Sequence, residues 1–140
     1  LGTFAFALTG TTKMLAVEAA RDASMACKSA AAVSRRPVHV IHRDLFRNPL
    51  QLDELNKFSG VLLDPPRAGA RDQVELLAKS TVEQVVYISC NPSSWARDAN
   101  KLVEGGYRLK SVRPVGQFRW STHVELSSMF VRQDRSTETI

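Results

Sequence analysis

Short apolar runs, each ended by a turn signal and followed by a helical pattern, recur along this chain, and that alternation limits its folding more than any other feature. Strands that alternate with helices run in one direction, so the pattern is an α/β one: a parallel sheet with helices on both faces. Residues 13–18 form the first such strand, ending in Glu18, and 19–33 follow as an alanine-rich helix broken at Arg35-Arg36-Pro37. Residues 38–42 are the second strand, with Asp44 just beyond it. The third, 60–64, ends in Asp64 and is closed by the rigid Pro65-Pro66-Arg67-Ala68-Gly69. The segment 49–58 is ill-defined, and 72–79 reads as a helix. Ahead of them all, a glycine turn at Gly2 runs into a short helix capped by Thr3. Residues 107–115 and 123–132 are two further strands with no helix between them, so they pair antiparallel at one edge. A frayed polar tail follows Gln133.

Between these lies Val85-Val86-Tyr87-Ile88, a buried strand halted by Ser89-Cys90-Asn91-Pro92, because proline cannot extend a ladder and biases its predecessor away from helix. Ser93 and Ser94 open an amphipathic helix over 93–104, with Ala96, Ala99, Leu102 and Val103 at helical spacing and Gly105-Gly106 as its stop. Cys90 therefore stands at a strand's carboxyl end and just upstream of a helix. Ligands of open α/β sheets collect at such ends, and the helix dipole favours a thiolate there. A small cysteine packed in a core is the other reading, and the pattern leaves both open.

With 140 residues, 44% of them hydrophobic, the chain fits one domain, expected over 1–132 with the tail at 133–140. Nineteen Lys and Arg against 14 Asp and Glu give a net charge of +5, which suits a polyanionic partner without requiring one. Two cysteines in unlike segments make neither a disulfide framework nor a zinc cluster, and with three histidines besides no metal site is expected. These features fit a reducing, cytoplasmic setting. No apolar run is long enough to span a bilayer, and the first residues lack the order of a signal peptide.

An acid ending the second strand of a doubly wound fold holds a ribose, since a carboxylate accepts hydrogen bonds from vicinal hydroxyls. Glu18 fits that role, Asp44 is placed to meet an adenine edge, and Asp64 faces a bound cofactor or a target base. Each alone also serves as a loop-starting or capping residue; three at strand ends favour a nucleoside site. Such a site further needs a strand and a Gly-rich turn before the first helix, of which only Gly2 is present. That strand would be central. Without it the sheet has a gap, with two acid-bearing strands on one side and the Asp64 and Cys90 strands on the other. The chain is thus expected to be a fragment of a longer protein, or to have its gap filled by an unusual arrangement or another chain.

Three motifs now stand in order: Val61-Leu62-Leu63-Asp64-Pro65-Pro66-Arg67-Ala68-Gly69-Ala70; Ile88-Ser89-Cys90-Asn91-Pro92 with Ala96-Arg97-Asp98 after it; and Gln117-Phe118 with His123-Val124-Glu125. In these the chain resembles the catalytic domain of the S-adenosylmethionine-dependent RNA uridine-5 methyltransferases, bacterial enzymes that make 5-methyluridine in ribosomal or transfer RNA. The resemblance runs from Gly2 to about Arg132. It implies a Rossmann-like class I methyltransferase sheet lacking its first, central strand, with S-adenosylmethionine as cofactor and RNA as partner. It also implies that Cys90 is the nucleophile and Glu125 the base that removes the C5 proton, and that Thr3, Glu18, Asp44 and Asp64 lie in the cofactor site. The departures are absences: the first strand with most of its glycine motif, an upstream glutamine segment, and an amino-terminal RNA-binding barrel.

The chemistry explains why such residues are needed. Carbon 5 of uracil is too weak a nucleophile to take a methyl group unaided; a thiolate added at C6 makes the ring an enolate and enriches C5 in electrons. A carboxylate must then remove the C5 proton before the thiolate departs. Arg67 and Arg97 are read as contacting phosphate or orienting carboxylates, or as solvated. Phe118-Arg119-Trp120 could stack on an extruded base or pack in the core, and His123 could bond uracil or flank the base. Cys27, mid-helix among alanines, is packing. Cytidine-5 methylation is the nearest rival, but those enzymes carry a cysteine in the proline loop, which here reads Asp64-Pro65-Pro66-Arg67. An amino-group methyltransferase would not need Cys90. A noncatalytic RNA-binding or assembly domain is the alternative of another class.

Overall fold

The computed structural model describes residues 3–10, 12–116 and 124–133. These form two compact units that divide between Pro49 and Leu50. The described strands make a two-stranded and a four-stranded sheet.

In the first unit, α1 (Thr3–Leu8), β1 (Met14–Glu18), α2 (Arg21–Ser34) and β2 (Val38–His42) follow the expected order. Thr3 is the first helical residue rather than the cap, a shift of one position at a helix end. β1 and β2 are parallel, with Met14 opposite Val38 and Glu18 opposite His42. Val38, Val40, Cys27 and Ala31 form the core, joined by Phe6 of α1 and by Met14 and Ala16 of β1. Cys27 is a packing residue, as the sequence suggested. α2 ends where Arg35 takes a left-handed conformation, and Arg36 Nη1 then donates to the carbonyl of Phe6 at 2.8 Å, tying the break back to α1.

The second unit contains α3 (Leu52–Leu55), β3 (Gly60–Leu63), α4 (Arg71–Lys79), β4 (Gln84–Ser89), α5 (Pro92–Glu104), β5 (Tyr107–Gly116) and β6 (Val124–Arg132). α3 falls in the segment read as ill-defined: Gln51 and Glu54 form its capping box, and Gln is an uncommon cap. The strand order is β3-β4-β6-β5, with β3 and β4 parallel and β6 antiparallel to both β4 and β5. The two last strands pair antiparallel at one edge as expected, with β5 outermost and β6 folded back between it and β4. Val85, Tyr87, Ser128, Phe130 and Tyr107 point to one buried face. α5 closes that face, with Trp95 Nε1 donating to Ser128 Oγ at 2.9 Å, while the Tyr107 hydroxyl reaches the carbonyl of Val82 at 2.7 Å.

Candidate active site

In the second unit the site starts from how β4 stops. Ser89 Oγ accepts from the amide of Asn91 at 3.1 Å and donates to the Asn91 carbonyl at 3.0 Å, so the two residues clasp across Cys90. Asn91, not Ser93, is the cap of α5: its Oδ1 accepts from the Ser93 amide at 3.1 Å, and Pro92 occupies the first turn, where its missing N–H costs nothing. Cys90 is left half-buried at the strand's end with a free thiol, which sets it apart from Cys27 in its core. The sequence left open whether Cys90 is itself a core residue, and its exposure favours the other reading.

The β4–β6 register adds what sequence could not. It runs from Gln84 opposite Val131 to Ser89 opposite Leu126. The pairing ends there, and Cys90 and Glu125 are the next residues along the two strands, Glu125 still pairing with Val115 on its other side. Cys90 and Glu125 therefore both stand at the end where the β4–β6 ladder opens. Asp64 follows β3 directly, next to β4 on its other side. Its carboxylate stays open to solvent, yet partial desolvation pushes its pKa above the usual carboxylate value.

The loop between β3 and α4, residues 64–70, is fastened to α5 by side chains. Asn91 Nδ2 donates to the carbonyl of Arg67 at 3.0 Å, and Arg97 Nη2 donates to that of Ala68 at 2.9 Å. Asp98, 1% exposed, is the hub. Its Oδ2 accepts from the Ala70 amide at 2.7 Å and from the Tyr87 hydroxyl at 2.6 Å, while its Oδ1 takes Arg97 Nε at 2.8 Å and Nη2 at 2.7 Å. Gly69 passes through this knot at a φ of +81°, where a β-carbon would lie 2.6 Å from both Arg97 Nη2 and Asp98 Oδ2. Burial, and then the hydrogen bond and charge of Asp98, hold the Tyr87 phenol well above its ordinary pKa. Arg97 thus orients a carboxylate, one of the roles read for it. The sequence reading missed the Asp98 hub. Its signal was an acid at position 98, on the helix face that also buries Ser94, Ala99 and Leu102.

In the first unit Glu18 and Asp44 stand together at the carboxyl end of the β1–β2 pair, where the Arg43 amide donates to the Glu18 carbonyl at 3.0 Å. Each acid uses one oxygen locally. Glu18 Oε1 accepts from the Ala20 amide at 2.8 Å and Asp44 Oδ1 from the Phe46 amide at 2.9 Å, while Arg47 stays 3.7 Å from Asp44 Oδ2. The loop-starting role is therefore real for both, and Glu18 Oε2 has no partner among the described residues. An acceptor oxygen such as Glu18 Oε2 at a parallel strand end suits a ligand rich in hydroxyl and amino donors, as an adenosyl group is. The side chain of Thr3 lies outside the described residues, as do Gln117, Phe118, Arg119, Trp120 and His123. No helix among the described residues is long and apolar enough to cross a membrane.

A family model described as tRNA (Uracil-5-)-methyltransferase matches residues 2–133. An uncharacterized RNA methyltransferase of Zymomonas mobilis is 51% identical over 132 residues, covering 94% of this chain and 33% of its own length. One from Thermotoga maritima is 36% identical over 129 residues, covering 88% of this chain and 28% of its own length. The chain thus spans about a third of the length of these curated relatives. Among solved structures, the Pyrococcus abyssi tRNA (uracil-54, C5)-methyltransferase in complex with S-adenosyl-L-homocysteine superposes with a TM-score of 0.81 at 26% identity, over 93% of this chain and 32% of that one.

Proposed function

The chain belongs to the tRNA (uracil-5-)-methyltransferase family, and from that premise we propose that it carries the thiol and the base of a methyl transfer from S-adenosylmethionine to C5 of a uridine in RNA. Cys90 adds its sulfur to C6 of the extruded uracil, and the C5–C6 π electrons move onto the carbonyl at C4 as an enolate. S-adenosylmethionine, when bound, supplies the electrophilic methyl group that C5 then takes. C5 at that point bears both a methyl and a hydrogen. Glu125 takes the hydrogen as a proton, the C5–H electrons re-form the double bond, and the Cys90 thiolate leaves C6. The uridine is methylated and the thiol regenerated.

The observation that carries this reading is that the β4–β6 ladder ends at Ser89 opposite Leu126, with Cys90 and Glu125 the next residues at that mouth. A nucleophile and a base acting on adjacent ring carbons must face one space, and positions that flank the same end of a strand pair support that arrangement. Glu18 would hold the ribose hydroxyls and Asp44 the adenine edge, with Thr3 at the glycine turn. Asp64, partly desolvated, would face the cofactor or the base.

The test is intact-mass analysis and peptide mapping after incubation with S-adenosylmethionine and RNA containing 5-fluorouridine, whose fluorine cannot leave as a proton does. An RNA adduct on Cys90 is expected, and none with Cys90→Ala. With ordinary uridine, Glu125→Gln should accumulate a methylated covalent complex. A Cys90→Ala protein that still methylates fully would overturn the assignment of the nucleophile. Prompt release of methylated RNA by Glu125→Gln would remove Glu125 from the role of base.

A further inference from the structure

β5 is a ten-residue edge strand of which every residue after Tyr107 is exposed, and among the described residues only β6 pairs with it. It carries Arg108, Lys110 and Arg113 and no acid. In a regular strand Arg108 and Arg113, five positions apart, would point to opposite faces. Here the register slips between Leu109 and Ser111, so that Arg108 opposes Val131 and Arg113 opposes Ser127. Val131, Ser127 and Glu125 alternate along β6 and share one face. The irregularity at Lys110 therefore turns both arginines to the face of Glu125, away from the face that α5 closes. Arg113 is one pair step, about 7 Å along the strand, from the level of Glu125, and Arg108 is about 14 Å farther.

We propose that this face of β5 is a phosphate track for the RNA strand that flanks the target uridine. Arg113 meets a phosphate near the reacting base and Arg108 one farther along, with Lys110 adding charge at the bulge. The inference rests on the RNA reading above and extends it to a surface. Two cations in line with the thiol and the base would hold the strand while its uridine is turned out, and they would do so without reading sequence. The competing role for cations on an edge strand is to block edge-to-edge association.

The experiment measures binding of the intact protein to a uridine-containing single-stranded RNA across a range of salt concentrations. The comparison is between the parent, the Arg108→Gln/Arg113→Gln double variant, and Lys57→Gln/Lys79→Gln, which lowers net charge equally elsewhere. Removing one arginine–phosphate ion pair should flatten the log K against log salt slope by about 0.7, so the β5 variant should lose about 1.4 while the control keeps the parent slope. An unchanged slope, or a β5 variant that self-associates while binding RNA as the parent does, would overturn the track. Adduct formation by the parent with 5-fluorouridine RNA is scored alongside. An adduct with an unchanged slope refutes the track alone, whereas a flattened slope with no adduct leaves the surface standing and refutes the chemistry.

Discussion

Asp98→Asn tests the Asp98 hub, because the substitution keeps the shape and removes the charge. One of the two oxygens becomes a donating NH2, and the side chain must choose which partners to oppose. Facing the amide nitrogen toward Ala70 and Tyr87 would set it against an N–H at 2.7 Å with no escape, since that side is buried. Facing it toward Arg97 sets donor against donor too, but the Arg97 side chain is 38% exposed and can swing into water. The second orientation should win. What is then lost is the pair of charge-assisted bonds from Arg97, discounted for its exposure, together with the stronger acceptor at Ala70 and Tyr87, or about 2–3 kcal/mol. Asp98→Ala has no such retreat. It strands the Ala70 amide and the Tyr87 hydroxyl and should cost about 3–5 kcal/mol, as removing one partner of a buried pair does. Urea denaturation followed by circular dichroism measures both; with m of about 1–3 kcal/mol/M, the Asn variant should unfold about 0.7–3 M earlier. An Asp98→Asn protein within about 0.5 kcal/mol of the parent would refute this reasoning, because that is the range of an ordinary surface change.

Gly69→Ala should destabilise by at least about 2 kcal/mol in the same assay, since it combines a positive φ with a β-carbon driven into Arg97 and Asp98. Asn91→Asp should keep the α5 cap but lose the donor to the Arg67 carbonyl; helicity is expected to hold while the rate of Cys90 adduct formation falls, and an unchanged rate would show that the loop does not depend on this bond. The Tyr87 phenol has a raised pKa in the folded state, so its contribution to stability is complete below the unfolded value near 10 and is lost as pH rises above it. Unfolding free energy should therefore decline above about pH 10, and less steeply in Tyr87→Phe. Asp64 is also shifted upward, so its ionisation opposes folding as pH climbs through the carboxylate range. Asp64→Asn should be the more stable protein at neutral pH, with the gain gone below the usual value of 3.8, and should lose affinity for S-adenosylmethionine in calorimetry.

The elements were legible in the sequence wherever a local signal ends them. Proline and glycine mark the limits of β2, β3 and α5, and apolar spacing marks their interiors. α3 was not legible because its box is built on Gln51, and the cap of α5 was set two residues late because Ser93 and Ser94 carry a capping signal as strong as that of Asn91. The place of β6 was beyond reach for a different reason. A period-two pattern says which residues share a face, but not which strand will lie beside them.

The same limit governs the site. Cys90 could be placed at a strand's end from its own neighbours, and the acids likewise, because each depends on residues within a few positions. Glu125 lies 35 positions away, and only the antiparallel register brings the two to one mouth. The Asp98 hub draws on positions 70, 87 and 97, which belong to a loop, a strand and a helix. Asn91 joins the two scales. Its Oδ1 serves the helix immediately after it, a role readable from sequence, while its Nδ2 reaches the proline loop 24 positions upstream, which no local pattern encodes. One amide thus fixes both the start of α5 and the loop that follows Asp64, and Cys90 is the residue before it. The thiol is held by backbone on either side and by a helix that is itself fastened to the loop. If Cys90 is the nucleophile proposed above, its backbone setting is therefore fixed by contacts that lie on both sides of it in sequence.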